Sequence, residues 1–352
     1  MKLFYPGPVE VRPEILREMA RPPIPHRGAE FVELFTRISK KLKQVLETKY
    51  DVLISTSSGS GFWEAAARSC IRKKVLCCGC GAFSDRWAEC CASNGKDVET
   101  LNVEWGRPNL PEPLDAALKK GGFDAVTYVH NETSTGLRNP IEQVAEVMKQ
   151  YPDVMFLVDA VSSMTGMPLK YEEWGIDLAL TSCQKAFALP PGIALAVVSG
   201  KALDRAKDIP NRGYYFDLVS VKKNADKGQT TTTPSISHLY ALDLQLDRML
   251  AEGMENRFKR HHAMGELVRR WAREKWALFP KEGYESDTVT CIANTRGISV
   301  SGLNEKLKTL HQCVISNGYA KLKDKTFRIG HMGDITPAEV GELLGWIDEI
   351  AG

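Results

Sequence analysis

Four short polar segments carry side chains whose types and spacing can do chemistry. Thr181-Ser182-Cys183-Gln184-Lys185 follows an apolar run that starts at Leu178 and precedes Ala186-Phe187-Ala188-Leu189-Pro190-Pro191-Gly192. A lysine at a strand mouth among small polar residues can form a Schiff base if its surroundings lower its pKa, although most lysines are solvated surface charges. Asp159 closes the run Val154-Met155-Phe156-Leu157-Val158. A carboxylate there is costly without a partner; a cofactor pyridinium is one partner, and a helix N-cap or ion pair is the plainer one. Ser57-Ser58-Gly59-Ser60-Gly61 lies between a strand-like run and a helix from about Phe62. Backbone N–H groups and the helix dipole suit a phosphate at such a place, which can equally be no more than a turn. His130-Asn131-Glu132-Thr133-Ser134-Thr135-Gly136, after the run Asp124 to Val129, reads as a ligand-bonding cluster or as a capped turn.

The surrounding pattern says what must position these segments. Phe31, Leu34, Phe35, Ile38, Leu42 and Val45 recur at helical spacing and predict an amphipathic helix over 31–47. Beyond it, strand-like runs (Val52 to Ile54, Lys74 to Cys78, Asp124 to Val129, Val154 to Asp159) alternate with helical stretches (Phe62 to Cys70, from about Phe83, Asn139 to Gln150), and further strands are expected at Leu178 to Leu180 and Ile193 to Val198. Alternation implies parallel pairing with right-handed crossovers, and continuous apolar runs imply burial on both faces. In such sheets ligands bind beyond the carboxyl ends of the strands, where all four segments fall. Ser235 to about Lys275 is strongly helical with a break at Gly253; strands (Thr288 to Ile292, Thr326 to Ile329) and helices (Leu303 to Leu310, Pro337 to Ile350) follow. The expected class is α/β, with a mostly parallel sheet in a large domain and a smaller α+β domain. The boundaries are an N-terminal arm at 1–20, a large domain at 21–250 and a small domain at 251–352.

Composition narrows the classes. Of 352 residues, 43% are apolar and 26% charged, as in ordinary globular proteins. Forty-six basic against 44 acidic side chains leave a charge of +2, too balanced for nucleic acid or an anionic membrane as partner. The N-terminus breaks at Pro6 before a signal-peptide core can form, and no run approaches the ~18 apolar residues of a membrane span, so a cytoplasmic protein is expected. Nine cysteines, an odd count, argue against a secreted disulfide framework, and the spacing of Cys77, Cys78 and Cys80 is no clean metal motif. Buried or half-buried free thiols are expected.

Taken in order, the Gly/Ser loop, the Asn-Glu-Thr cluster, the strand-terminal aspartate and the lysine resemble the class V (fold type I) pyridoxal-phosphate aminotransferases, in the alanine–glyoxylate and serine–pyruvate branch. The resemblance spans nearly the whole chain and includes Pro6-Gly7-Pro8, His26-Arg27-Gly28-Ala29-Glu30-Phe31, Pro190-Pro191-Gly192 and Phe327-Arg328-Ile329-Gly330. It implies that Lys185 binds the aldehyde of pyridoxal 5'-phosphate, that Asp159 meets the ring nitrogen, and that Ser60, Gly61 and Phe62 cradle the phosphate. It further implies that Phe83 stacks on the ring, that Thr133 with Ser134 and Gln184 bonds the phenolic edge, and that Arg328 pairs with the substrate α-carboxylate. Gly7, His26 and Arg27 fall among its substrate-binding positions; His26 and Arg27 also resemble the segment by which phosphoserine aminotransferases approach a substrate phosphate, or order the arm at a dimer interface. Thr232 and Thr233 match a loop that reaches the phosphate of the neighbouring subunit, which implies a homodimer with shared active sites. Two departures stand out: Gln229 where some relatives have tyrosine, and Phe83 where tryptophan is usual.

The implied activity is ping-pong transfer of an amino group from alanine or serine to glyoxylate or pyruvate, with aspartate or phosphoserine and 2-oxoglutarate as the alternative. A cysteine desulfurase-like lyase fits less well, since Gln184 and Phe83 stand where those enzymes carry histidines, and the stretch at Cys313 also reads as a core strand. A non-catalytic relative is the remaining alternative.

Overall fold

The computed structural model describes residues 1–352. Seven strands form the larger sheet in the order Asp51–Ser55, Ala194–Val198, Leu178–Ser182, Met155–Asp159, Ala125–Val129, Lys74–Gly79 and Asp97–Asn102. From Leu178–Ser182 to Asp97–Asn102 every pairing is parallel. The central strands are rich in Val, Leu and Ala and wholly buried, because helices cover both faces. Ala29–Val45 turns Phe31, Leu34, Phe35, Ile38, Leu42 and Val45 inward, the face the sequence predicts. Helices Gly59–Cys70 and Ala82–Ser93 lie on the sheet beside each other, with Trp63 stacked on Trp87.

Register converts this sheet into a platform. Val129 pairs with Asp159, and Asp159 with Leu180, so three neighbouring strands end almost level. The segments that follow, from His130, Ala160 and Cys183, leave the same edge of the sheet together.

A second sheet of five strands is ordered Lys2–Phe4, Cys313–Asn317, Thr326–Gly330, Val289–Ala293, Ala277–Leu278. Helices Met254–Lys275, Val300–His311 and Pro337–Ala351 pack with it around Trp271, Phe327, Ile329 and Leu343. Helices Ile236–Glu252 and Met254–Lys275 are separated at Gly253, whose φ of +78° suits glycine and breaks the helical run.

Three features depart from the sequence expectations. Ala194–Val198 is antiparallel to both neighbours, because the connection from Cys183 to Ile193 holds no helix to carry the chain back for parallel pairing. The Gly/Ser loop is not a turn ahead of a helix at Phe62; the helix begins at Gly59, with the glycines inside its first turn. The edge strand Asp97–Asn102 and the helices Pro13–Met19, Pro111–Leu118, Gly200–Asp208 and Leu218–Ala225 were not expected. The nine cysteines are unpaired, and all but the half-buried Cys90 are buried. No helix is long and apolar enough to cross a membrane.

Candidate active site

At the common strand edge lies a cavity of about 220 Å³ lined by Gly7, Ser58, Gly59, Ser60, Trp63, Phe83, Asn131, Thr133, Asp159, Val161, Ser182, Gln184 and Lys185. All four chemical segments of the sequence meet here, joined by the N-terminal arm.

Lys185 leaves the strand Leu178–Ser182 in a tight turn and is 9% exposed. Its Nζ donates to the Pro6 carbonyl. Burial, and then the positive charge of Arg328, push its pKa down to about 8, with Asp159 opposing. Gly7 is required beside it: a Cβ there would lie 2.5 Å from Lys185 Cδ, and the φ of +122° disfavours any side chain.

Asp159 is buried, yet it has no salt-bridge partner at bonding distance. Oδ1 accepts from the Val161 N–H at 2.8 Å and Oδ2 from the Trp63 indole N–H at 2.8 Å. Burial pushes its pKa up to about 7, against these two donors; Glu132 adds to the rise and Lys185 opposes it. A carboxylate so placed is poised to take a cationic or proton-bearing partner from the cavity.

The helix Gly59–Cys70 points its N-terminus into the cavity. Ser58, at its N-cap, supplies no side-chain cap, and although the Gly61 N–H donates to the Ser58 carbonyl, the amides of Gly59 and Ser60 and the positive helix end are left for an anion. Of the three residues the resemblance assigns to a phosphate, Ser60 lines the cavity, whereas Gly61 is packed against Phe216 and the Phe62 ring is buried in the core. Ser58 and Gly59 complete the lining instead.

Phe83 lines the cavity and Tyr319 packs on it with ring centroids 5.3 Å apart. Glu132 holds the backbone that carries Phe83 by accepting from the Phe83 and Ser84 N–H groups, both at 3.1 Å. Thr133 faces the cavity and its hydroxyl donates to Ser162, but Ser134 points away, donating to Glu132 at 2.6 Å and accepting from the Ala82 N–H. Gln184 lines the wall through an amide oxygen bonded to Ser182.

Arg328 donates from Nη1 to the Thr133 carbonyl at 3.1 Å and from Nη2 to Ser316 Oγ at 2.8 Å, and sits over the Tyr319 ring. None of its hydrogen bonds goes to a carboxylate. Burial lowers its pKa, the mark of a guanidinium without a counterion.

The remaining assigned residues lie elsewhere. Arg27 is exposed and donates to the carbonyls of Thr230 and Thr231, and His26 beside it is half-buried. Thr232 and the exposed Thr233 belong to that loop, outside this chain's Lys185 cavity. Cys313 is a buried residue of the small sheet, paired with the N-terminal strand. Ser58, Gly59, Asn131 and Ser182 line the cavity too; they belong to the four segments, although the resemblance gives them no individual role, and Trp63 and Val161 were missed. Trp63 was findable: it follows Gly59 by one helical turn, on the same face.

These residues fit pyridoxal phosphate. An uncapped helix end suits its phosphate, a buried carboxylate its ring nitrogen, an aromatic face its ring, and a lysine of lowered pKa its aldehyde.

Residues 16–278 match the family described as aminotransferase class-V. An uncharacterized aminotransferase of Methanocaldococcus jannaschii is 39% identical, covering 98% of this chain and 91% of the relative. A serine–glyoxylate aminotransferase of Methylorubrum extorquens is 33% identical over 98% of this chain and 89% of its own length. The solved aspartate aminotransferase of Thermus thermophilus, described as subgroup IV, superposes with a TM-score of 0.92 at 29% identity, covering 99% of both chains. The architecture is that of the fold type I transferases, as the sequence implies, and this chain belongs to the class-V aminotransferase family.

Proposed function

We propose that the protein transfers the amino group of a small L-amino acid, alanine or serine, to glyoxylate or pyruvate, with pyridoxal phosphate held in the Lys185 cavity. The observation that carries this reading is the joint placement of Lys185 and Asp159, a lysine of lowered pKa and a buried carboxylate in one cavity wall, with Arg328, a guanidinium free of acidic partners, behind that wall on the carbonyl of Thr133. The serine–glyoxylate relative supports the choice of donor and acceptor.

When bound, the cofactor draws electrons away from the substrate Cα and makes its C–H bond acidic. Lys185 would hold the aldehyde carbon, Asp159 the proton on the ring nitrogen, Phe83 the ring face, Thr133 and Gln184 the phenolic edge, and the amides at Ser58, Gly59 and Ser60 the phosphate. Arg328 then clamps the substrate carboxylate with its planar fork and turns the Cα–H bond towards Lys185. With a pKa of about 8, a substantial fraction of Lys185 is neutral near pH 7.5. Its Nζ would accept the proton from the substrate Cα and hold it for return on the same face, and hydrolysis by water would then free the 2-oxo acid and leave the amino group in the site for the second oxo acid.

The same reading takes the protein to be a homodimer. Thr232 and Thr233 lie outside the Lys185 cavity of their own chain, next to Arg27, which agrees with a loop that serves the neighbouring subunit. It also divides the chain into an arm (1–20), a large domain (21–250) and a small domain (251–352), supported by the pairing of Lys2–Phe4 with the five-stranded sheet.

The test is a donor panel of alanine, serine, aspartate and phosphoserine against glyoxylate, pyruvate and 2-oxoglutarate. Highest kcat/KM with alanine or serine and glyoxylate or pyruvate is expected. Preference for aspartate with 2-oxoglutarate would move the protein towards the activity named for the Thermus relative.

A further inference from the structure

Asp159 is held by two donors, and one of them has no place in the chemistry described so far. Trp63 is 5% exposed and its indole is pinned against Trp87, with ring centroids 6.2 Å apart and planes 17° apart. Packing therefore fixes where its N–H points, and it points at Asp159 Oδ2, at 2.8 Å. The Val161 N–H holds Oδ1 from another element, so both carboxylate oxygens are fixed in direction.

We propose that Trp63 is a positioning residue that acts through Asp159, its indole N–H fixing the plane of the carboxylate and favouring its charged form. The inference rests on the reading of Asp159 as the partner of the cofactor ring nitrogen for its consequence in catalysis. The coupling of Trp63 to Asp159 stands on geometry alone.

The physical reason is a balance of burial against donors. Desolvation favours the neutral acid, and a hydrogen bond given to the carboxylate opposes it. Few charges help: Lys185 faces Asp159 from the turn after Leu178–Ser182, and Glu132, from the hairpin Asn131–Arg138, has the same sign as Asp159. On the helix of Trp63, Glu64 is paired with Arg68 at 2.9 Å. With one donor removed, the buried acid holds its proton to higher pH, and a neutral acid cannot keep a proton on a ring nitrogen. Trp63 thereby sets the lower pH limit of the enzyme.

The test needs no turnover. In cofactor-free protein carrying ¹⁵N-labelled indoles and ¹³C-labelled aspartate carboxyls, one of the seven tryptophan N–H resonances should titrate with the midpoint of Asp159 and stop titrating in Asp159→Asn. In Trp63→Phe the Asp159 midpoint should rise by about one pH unit or more, as expected for loss of a bond to a charged group. Trp63→His, which restores a ring N–H, should recover part of the shift. In cofactor-loaded Trp63→Phe, the pH at which the visible absorbance band changes should move up in step.

Because Trp105 and Trp271 also donate to carboxylates, of Asp85 and Asp348, the decisive result is the midpoint: an unmutated chain in which no indole follows Asp159 would overturn the proposal without recourse to any variant. So would equal midpoints in Trp63→Phe and the unmutated chain, or identical behaviour of the Phe and His variants, which would leave Trp63 as packing only. Failure of the underlying reading looks different: Asp159→Asn would then bind the cofactor with unchanged affinity and spectrum, while the indole titration of the unmutated chain persisted.

Discussion

Arg257 and Lys185 are both cations shut away from water, and their surroundings treat them in opposite ways. Arg257, in the helix Met254–Lys275, pairs through Nη1 with Glu252 at 2.8 Å and Asp334 at 3.2 Å, and its Nη2 donates to the Ala186 carbonyl at 2.7 Å. Asp334 in turn accepts from Gln245 and Arg248, so that, although burial alone would raise it, its pKa lies below the usual carboxylate value. Lys185 and Asp159 meet no ion pair of this kind, and their pKa values move towards each other, to about 8 and about 7. Buried charged groups are thus structural where opposite charges face them and reactive where none does. The two regions touch: the peptide that Arg257 holds belongs to the residue after Lys185, so the ion-paired network braces the unpaired groups.

The strongest way to break this comparison is at its reactive pole. Lys185→Ala should lower kcat by about 10³-fold or more, since both proton acceptor and covalent anchor are lost, while the thermal midpoint of the cofactor-free chain stays the same or rises. Reduction of the loaded protein with borohydride should fix the cofactor on Lys185 and nowhere else. Label on another lysine would remove Lys185 from the chemistry.

Next in size is the structural pole. Arg257→Ala leaves Asp334 and Glu252 with one cation fewer in a buried setting and should cost about 3–5 kcal/mol of stability by denaturant titration. If Arg257 only braces, the folded fraction keeps its pattern of donor preference; a switch of preferred substrate would show that the network is part of the site.

How much of this was legible in the chain depends on the range of the contact. The strands ending at Asp159 and Ser182 are local apolar runs and were found. The helix start at Gly59 was misplaced because two glycines and no capping side chain hide a helical turn from propensity. The strand Asp97–Asn102 was missed because its residues are half-exposed and carry no apolar run. Pairing of Lys2–Phe4 with Cys313–Ile315 joins opposite ends of the chain, beyond any sequence window. At the site, Lys185, Asp159, Thr133, Ser60 and Gly7 line one cavity as their motifs suggest. Ser134 and Phe62 turn away from it, because the last step depends on side-chain direction rather than motif.

A third experiment sharpens the comparison at Arg328, which is as buried as Arg257 but without a carboxylate. Arg328→Ala should raise KM for the amino donor by about 10²-fold with a smaller fall in kcat, as expected when a bidentate carboxylate clamp of about 2–3 kcal/mol is removed. Arg328→Lys should recover little, because an ammonium cannot reproduce the planar fork. A fall in kcat with KM unchanged would place Arg328 in the proton transfer rather than in binding.

The smallest expected effect is the most diagnostic, because its sign separates the two regions. Asp159 has its pKa raised in the folded chain, from 3.8 to about 7, by burial. A raised pKa means that the folded state binds the proton more tightly than the unfolded state. Its stabilising contribution is therefore full below about pH 4 and is lost as pH rises through about 7. Above pH 7 the cofactor-free protein carries a buried carboxylate that the unfolded chain would solvate. Asp159→Asn removes that burden. Three pH units set a ceiling of about 4 kcal/mol, and lost attraction to Lys185 together with weaker acceptance from Trp63 and Val161 offsets most of it. A net gain on the order of 1 kcal/mol is expected at pH 8, vanishing near pH 4, in a variant whose turnover has collapsed. Asp334→Asn should do the reverse: a pKa held low by its cations gives stability above its ordinary value, and the variant should lose stability at pH 8. If both variants lose stability alike at pH 8, Asp159 is a structural carboxylate and the distinction between the two regions fails.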